Sequence, residues 1–193
     1  SPFYLFIHIH KTAGTTLRGI VDCQFGQDNV LTYYNQTNQH LLDNLDSYLK
    51  VGHKEYKALI GHFHYGVHEK LDRPSKYISF VRNPVALAIS AYYENLKTRA
   101  SEFSHPDGSI MSLEYCIEHM SNKFSNRQIK MLGGFNGNKV LSKEHLNSTL
   151  EKVEKTFEFI GVTERFAESI LLCSKLIGWC PCTFPNMNVR HAT

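Results

Sequence analysis

A short segment near the start of the chain has the composition of an anion-binding loop. An apolar run ends at Ile9, and apolar residues resume at Leu17 with helical spacing. Between them stand, among others, Lys11, Thr12, Ala13, Gly14, Thr15 and Thr16. A loop between a strand and a helix start brings unpaired N–H groups and the positive end of the helix dipole together. Gly14 lets an oxyanion approach the backbone, the threonine hydroxyls can donate, and Lys11 adds charge. The segment therefore predicts a site for a phosphate or sulfate ester.

The loop differs from the nucleoside-triphosphatase loop, whose GxxxxGK[ST] pattern places lysine beside the metal-binding hydroxyl. Here Lys11 comes early in the loop, and Thr15 stands where that pattern has lysine. The best second buried strand, Ile78 to Val81, runs into Arg82 and offers no terminal aspartate for magnesium. This disfavours magnesium-dependent phosphoryl transfer, which uses the metal to neutralise several phosphate charges. Sulfuryl transfer fits better, because its transferred group carries less charge and can be held by lysine and backbone amides.

Two motifs resemble those of a known enzyme family. HKTAGTT at residues 10–16 and FVRNPVALAISAYY at residues 80–93 resemble carbohydrate sulfotransferases that use 3′-phosphoadenosine-5′-phosphosulfate (PAPS). The branch most similar is that of the heparan sulfate 2-O- and 6-O-sulfotransferases and their bacterial relatives. The resemblance continues through 126–128 and 157–166, so it covers most of the chain. It implies an enzyme of the EC 2.8.2 type acting on a hydroxyl acceptor, such as that of a sugar.

The resemblance also implies how the donor is held. The loop from Lys11 to Thr16 would wrap the 5′-phosphosulfate, Arg82 and Ser90 would hold the 3′-phosphate, and a late loop containing Arg190 would close over the nucleotide. Arg82 suits this role independently, since it follows a strand end, where ligands of open α/β sheets bind, and its planar fork matches a phosphate. Ser90 is either a ligand contact or a space-filling residue. The chain departs from many relatives at residues 86–87, where Ala-Leu replaces Glu-Arg.

Three histidines follow a predicted short strand at residues 56–60. Transfer to a hydroxyl needs a base, and histidine is the side chain best tuned to act as one near neutral pH. In related glycan sulfotransferases a histidine just after this strand is thought to be that base. Aligning Tyr65 with the family's aromatic residue gives that role to His62. His64 is the alternative, since strand alternation places it on the same side. The spacing of these two with His68 also permits zinc, although we expect no metal here.

Lys11 has a second predicted role. As the bond to the leaving phosphate oxygen breaks, negative charge develops on that oxygen, and a fixed ammonium stabilises it most in the transition state. His8 and His10 flank the end of the first strand, and neither is our choice for the base. We expect His8 to be buried and hydrogen-bonded, and His10 to lie where it can touch the ligand.

Alternating strand and helix patterns predict the fold class: an α/β, P-loop-containing three-layer sandwich with a mainly parallel central sheet flanked by helices. We predict four strands, at residues 3–10, 57–60, 77–81 and 157–160. Seven helices are predicted at 15–23, 38–49, 84–99, 112–120, 124–132, 143–156 and 165–177. Ser142 resembles a helix start and Gly178 a helix stop. Leu87, Ile89, Ala91 and Tyr92 are expected to form a mixed apolar surface that packs on the sheet.

Composition limits the remaining possibilities. The 193 residues, 42% hydrophobic and 20% charged, predict one globular domain over 1–193. A net charge of +3 suits an anionic glycan, and the chain has no nucleic-acid motif or run long enough to span a membrane. Five cysteines with poorly spaced Cys180 and Cys182 favour free thiols and a bacterial cytosolic enzyme. Glycosylation triplets at Asn35 and Asn147 keep the Golgi lumen as the alternative.

Two other functions remain open from the sequence. A small-molecule kinase would use the same loop with ATP and would require magnesium. A nucleotide- or sulfated-glycan-binding module would keep the fold without the chemistry, and would bind donor without releasing product in the presence of acceptor. The acceptor itself is not readable from the sequence, because its pocket is built from loops.

Overall fold

Five parallel strands form the centre of the molecule, in the spatial order β2-β3-β1-β4-β5. The computed structural model describes residues 2–34, 37–50, 55–137 and 140–180. The strands are β1 (Phe3–Ile7), β2 (Val30–Tyr33), β3 (Ala58–Gly61), β4 (Ser75–Val81) and β5 (Phe157–Val162). β1 is the central strand, and the chain leaves β1 and β4 toward opposite edges of the sheet. Ligands of open parallel sheets bind where neighbouring strands diverge in this way.

Helices cover both faces of the sheet, because the central strands are apolar on both faces. The helices are α1 (Gly14–Phe25), α2 (Asn38–Lys50), α3 (Pro84–Thr98), α4 (Leu113–His119), α5 (Ser121–Phe124), α6 (Arg127–Gly133), α7 (Lys143–Thr156) and α8 (Phe166–Ile177). Leu5 and Ile7 of β1 pack in a core that includes residues of α2 and α6. Phe6, which points to the opposite face, packs in a second core with residues of α1 and α8. This arrangement confirms the predicted three-layer fold.

Several boundaries differ from the sequence predictions. β2 was not predicted, because it is a four-residue edge strand with an exposed Thr32 and lacks a long apolar run. β1 ends at Ile7 rather than at residue 10, since the chain turns there toward the loop. The helix expected at 124–132 is two short helices, α5 and α6, separated at Asn126, which has φ 53°.

The second motif forms α3 as its sequence predicts. Asn83 caps the helix by accepting hydrogen bonds from the N–H groups of residues 85 and 86, and Pro84 occupies the first turn. Leu87 and Ala91 are buried, but Ile89 is 39% exposed, so the expectation that Ile89 packs on the sheet is wrong. Leu87 and Ala91 share the buried face of α3, from which Ile89 turns away. Tyr92 of the same helix packs with Phe103 and Cys116 in a cluster separate from the two sheet cores.

Two helix boundaries agree with the sequence. Ser142 precedes α7, and its N–H donates to His145 Nδ1 at 3.1 Å, which completes a capping box. Gly178 ends α8 with φ 72°, a conformation that suits glycine. α7 thus begins at its predicted residue and leads into β5, whereas α8 follows β5 and ends where its stop was predicted.

Candidate functional site

The loop after β1 has the geometry of an anion-binding turn. Lys11 and Ala13 both adopt left-handed backbone conformations, with φ of 67° and 60°. The Thr12 hydroxyl donates to the Ile9 carbonyl at 2.7 Å, so this buried side chain holds the turn closed. Non-glycine residues in this region are strained, and such strain is concentrated at functional sites.

α1 begins at Gly14 without an internal cap. Ala13 occupies the N-cap position, where it provides no side-chain hydrogen bond, and the first turn contains no acidic residue. The first N–H groups of a helix have no acceptor within it, and the helix dipole makes this end positive. Thr15 is exposed and Thr16 is largely buried. The predicted loop residues therefore surround one helix N-terminus that can accept an anion.

Gly14 has a structural role that the sequence did not reveal. A Cβ atom at this position would lie 1.6 Å from Nε2 of His8, because the imidazole packs directly against the Gly14 backbone. The sequence predicted glycine here because an oxyanion must approach the backbone. The structure adds a second reason, which is that the His8 side chain occupies the space of a Cβ atom. The His8 ring also contacts Tyr34, with centroids 5.5 Å apart. No partner exists among the described residues for either His8 Nδ1 or the Tyr34 hydroxyl, both of which are buried.

The second motif meets the first at Arg82. Its guanidinium Nη1 donates to the Lys11 carbonyl at 3.1 Å, although 71 residues separate the two in the chain. The Arg82 backbone is held in turn by Gln128: the Arg82 N–H donates to Oε1 and the Arg82 carbonyl accepts from Nε2, both at 2.8 Å. Arg82 therefore lies beside the loop, as predicted from its position at the end of β4.

One further contact comes from α3. Glu94, which was not among the predicted site residues, accepts from Lys11 Nζ at 3.1 Å. Ser90 precedes Glu94 by four residues, so the two lie on the same face of α3. The sequence does show that Glu94 lies one turn after Ser90, a predicted donor contact. Nothing in the local sequence, however, indicates that Glu94 pairs with Lys11.

His62 is held in an orientation suited to a base. Its Nδ1 lies 2.7 Å from the His8 carbonyl, and because a carbonyl only accepts, Nδ1 must carry the proton. The lone pair of the neutral ring is then on Nε2. The His62 ring stacks on His10, with centroids 3.5 Å apart, and packs edge-to-face on Tyr34 at 4.9 Å.

The electrostatic surroundings keep His62 neutral. Burial lowers the pKa of His62, the hydrogen bond to the His8 carbonyl opposes that shift, and the nearby Arg127 charge lowers the pKa further. Burial also lowers the pKa of His8 to about 3, assisted by His62 and Lys11. Both rings are therefore uncharged at neutral pH, and a proton acceptor is available without deprotonation of a cation.

The other two histidines of the cluster have different surroundings. The His64 N–H donates to Asn38 Oδ1 at 2.8 Å, and burial lowers the pKa of its ring. His68 is bonded through Nδ1 to the Tyr77 hydroxyl at 3.0 Å. The described segments contain no group of three or more His, Cys, Asp or Glu residues placed to hold a metal ion.

Arg127 is a third basic residue near the site, after Lys11 and Arg82, and its role there was not predicted from the sequence. It donates through Nη2 to the Lys123 carbonyl at 2.8 Å, and burial lowers its pKa. Its charge acts on both His62 and His10. Leu87, at the position where the resemblance implies an arginine, is buried. Arg127 thus supplies positive charge on the side of the site that faces the histidines.

Some sequence expectations fall elsewhere. Arg190 and Cys182 lie outside the described residues, and Cys116 and Cys173 are buried thiols. Among residues that the structure describes, no helix is both long and apolar enough to cross a membrane. A surface groove on α2 and the turn at 67–70 contains none of the predicted site residues; it is lined by Leu42, Asp43, Leu45, Asp46 and Lys70.

The fold is that of a parallel α/β protein whose candidate anion site lies at the carboxyl ends of adjacent strands. Its structure is similar to that of a sulfotransferase from Alicyclobacillus acidocaldarius, with a TM-score of 0.55 and 13% identity, over 100% of this chain and 87% of that one. It is also similar to mouse sulfotransferase SULT7A1 complexed with PAP, with a TM-score of 0.53 and 13% identity, over 93% of this chain and 60% of the mouse chain. No protein-family model and no curated protein matches the sequence significantly. The chain therefore has the fold of these sulfotransferases.

Proposed function

We propose that this chain is a PAPS-dependent sulfotransferase of the EC 2.8.2 type that transfers a sulfuryl group to a hydroxyl. The observation that carries the proposal is the contact of Arg82 with the Lys11 carbonyl at 3.1 Å. It places a second basic side chain beside an uncapped helix N-terminus, an arrangement suited to an anionic donor. The two structural neighbours and the PAP held by the mouse enzyme support the same donor.

In the proposed reaction, the loop residues Gly14, Thr15 and Thr16 bind the 5′-phosphosulfate, and Arg82 and Ser90 bind the 3′-phosphate. His62 removes the acceptor's hydroxyl proton through Nε2 while the acceptor oxygen attacks sulfur in line. Lys11 stabilises the charge that develops on the leaving phosphate oxygen. The acceptor is proposed to be a carbohydrate or glycoconjugate, an assignment that rests on the resemblance of the two motifs.

Donor binding is tested by calorimetric titration with adenosine 3′,5′-bisphosphate (PAP), in parallel with ATP and magnesium. We expect the wild-type protein to bind PAP and Arg82→Ala to bind it about 10- to 100-fold more weakly, because a charged hydrogen bond is lost. Arg165→Ala, a change at an exposed residue of the turn before α8, is the matched control and is expected to bind as wild type does. Binding of ATP with magnesium but not PAP would instead indicate the kinase.

Catalysis is tested by comparing turnover with PAP affinity in two variants. His62→Asn is expected to lower turnover by about 10²- to 10⁴-fold while leaving PAP affinity nearly unchanged, since the base contacts the acceptor rather than the nucleotide. His64→Asn is the comparison, and a larger loss there would reassign the base. Lys11→Ala is expected to lower turnover far more than PAP affinity, and equal losses would remove its catalytic role. Donor binding without acceptor-dependent PAP release would indicate a non-catalytic binding module.

A further inference from the structure

Lys11 is held at both ends, by Arg82 after β4 and by Glu94 of α3. Its carbonyl accepts from Arg82, and its Nζ donates to Glu94, each at 3.1 Å. The side chains of Lys11 and Glu94 are 28% and 45% exposed, so the ion pair lies at the rim of the site rather than in the core. The cationic side chain of the loop is thus accompanied by a carboxylate, and the two formal charges cancel.

This pairing changes what the loop can bind. A sulfate ester carries one negative charge at neutral pH, whereas a terminal phosphate carries between one and two, with a second pKa of about 6. A carboxylate beside Lys11 repels either group, and the repulsion grows with the charge of the group. The Glu94 carboxylate therefore penalises a terminal phosphate more than a sulfate of the same shape.

We propose that Glu94 is a specificity-determining residue that selects a donor with a singly charged terminal group over its phosphate analogue. The proposal rests on the proposed function, because it assumes that the loop binds the terminal group of the donor. Glu94 acts by charge and by holding Lys11, and it takes no part in proton transfer. Selectivity for sulfuryl donors would thus come from repulsion between Glu94 and a terminal phosphate, as well as from attractive contacts with the sulfate.

The test compares PAPS with adenosine 3′-phosphate 5′-diphosphate, which has the same skeleton and a phosphate in place of the sulfate. Dissociation constants are measured at pH 8 and low salt for wild type, Glu94→Gln and Glu118→Gln. Glu118 is an exposed residue of α4 and provides the matched loss of one negative charge. We expect Glu94→Gln to tighten binding of the diphosphate about three- to five-fold more than binding of PAPS, from the usual strength of partly exposed charge pairs. Glu118→Gln is expected to leave the ratio of the two constants unchanged.

Two further measurements separate the possible failures. At pH 5.5 the terminal phosphate carries close to one negative charge. The ratio of the two dissociation constants in wild type should therefore approach the ratio in Glu94→Gln. An unchanged ratio in Glu94→Gln at pH 8 would overturn the proposal while PAP binding by wild type still supported the donor. Failure of wild type to bind PAP or PAPS would overturn the proposed function itself. Urea unfolding of each variant shows that the ratio reports binding and not a loss of folded protein.

Discussion

Replacing Gly14 with alanine tests the packing of the loop against the first histidine of the site. The new Cβ would lie 1.6 Å from His8 Nε2, whereas carbon contacts in proteins are normally about 3.5 Å or longer. The imidazole must therefore move by about 2 Å. Two neighbouring rings oppose that movement, because the centroid of the His8 ring lies 4.5 Å from that of His62 and 5.5 Å from that of Tyr34. We expect overpacking to cost about 1–3 kcal/mol of unfolding free energy.

A double-mutant cycle isolates this contact from the helix propensity of alanine. Alanine gains up to about 1 kcal/mol over glycine within a helix, which masks part of the cost in Gly14→Ala alone. In a His8→Ala background the ring is absent, so Gly14→Ala should be neutral or stabilising. The coupling free energy, measured by urea unfolding of the four proteins, should then be about 1–3 kcal/mol.

Gly19 provides the matched control on the same helix. It lies in α1 and is exposed, and a Cβ added to it would meet no atom within 4 Å, so Gly19→Ala should be neutral or stabilising in both backgrounds. A Gly14→Ala cost that persisted unchanged in His8→Ala would refute the reasoning. In that case the backbone of the loop, rather than the imidazole, would require glycine.

Three further predictions concern stability. Because the folded protein holds the pKa of His8 at about 3, against an ordinary 6.5, the unfolded chain binds the extra proton as the pH falls. His8 should thus make the protein about 2 kcal/mol less stable at pH 5 than at pH 7.5. His8→Ala should flatten the dependence of urea-derived free energy on pH by about one proton, and an unchanged slope would contradict the shift. Tyr77→Phe should cost about 2 kcal/mol or more, because it leaves two backbone N–H donors unpaired, whereas the exposed Tyr93→Phe should cost little by the same measurement. Asn83→Ala should cost about 1 kcal/mol by removing the cap of α3, and an unchanged thermal midpoint would show that the cap is dispensable.

The parts of the site that were predictable from sequence are those with a local signature. The loop before α1, the start of α3 at Pro84 and the position of Arg82 at a strand end each follow from residue types within a few positions. Buried parallel strands such as β1 and β4 are equally local, because burial on both faces requires a continuous apolar run. β2 was not predictable in this way, since an edge strand of four residues needs no such run.

The parts that were not predictable are contacts between distant segments. Glu94 and Lys11 are 83 residues apart, and no feature near either one identifies the other. The same is true of Gly14 and its neighbour His8, since glycine in such a loop already has a sufficient explanation in the approach of a ligand. When a local role already explains why a residue is present, the sequence gives no sign of an additional tertiary contact.

The arrangement of the central strands explains why the two motifs lie side by side. β1 and β4 are adjacent and parallel, so the residues that follow them emerge side by side although about 70 positions separate them. Arg82 then reaches the Lys11 carbonyl and stabilises a loop whose backbone is strained at Lys11 and Ala13. Under the proposed function, loss of Arg82 should therefore weaken donor binding in two ways, through loss of the proposed 3′-phosphate contact and through a less ordered loop. Arg82→Lys separates the two effects, because lysine keeps the charge but loses the planar fork, and a shared-site mechanism requires it to recover only part of the affinity lost in Arg82→Ala.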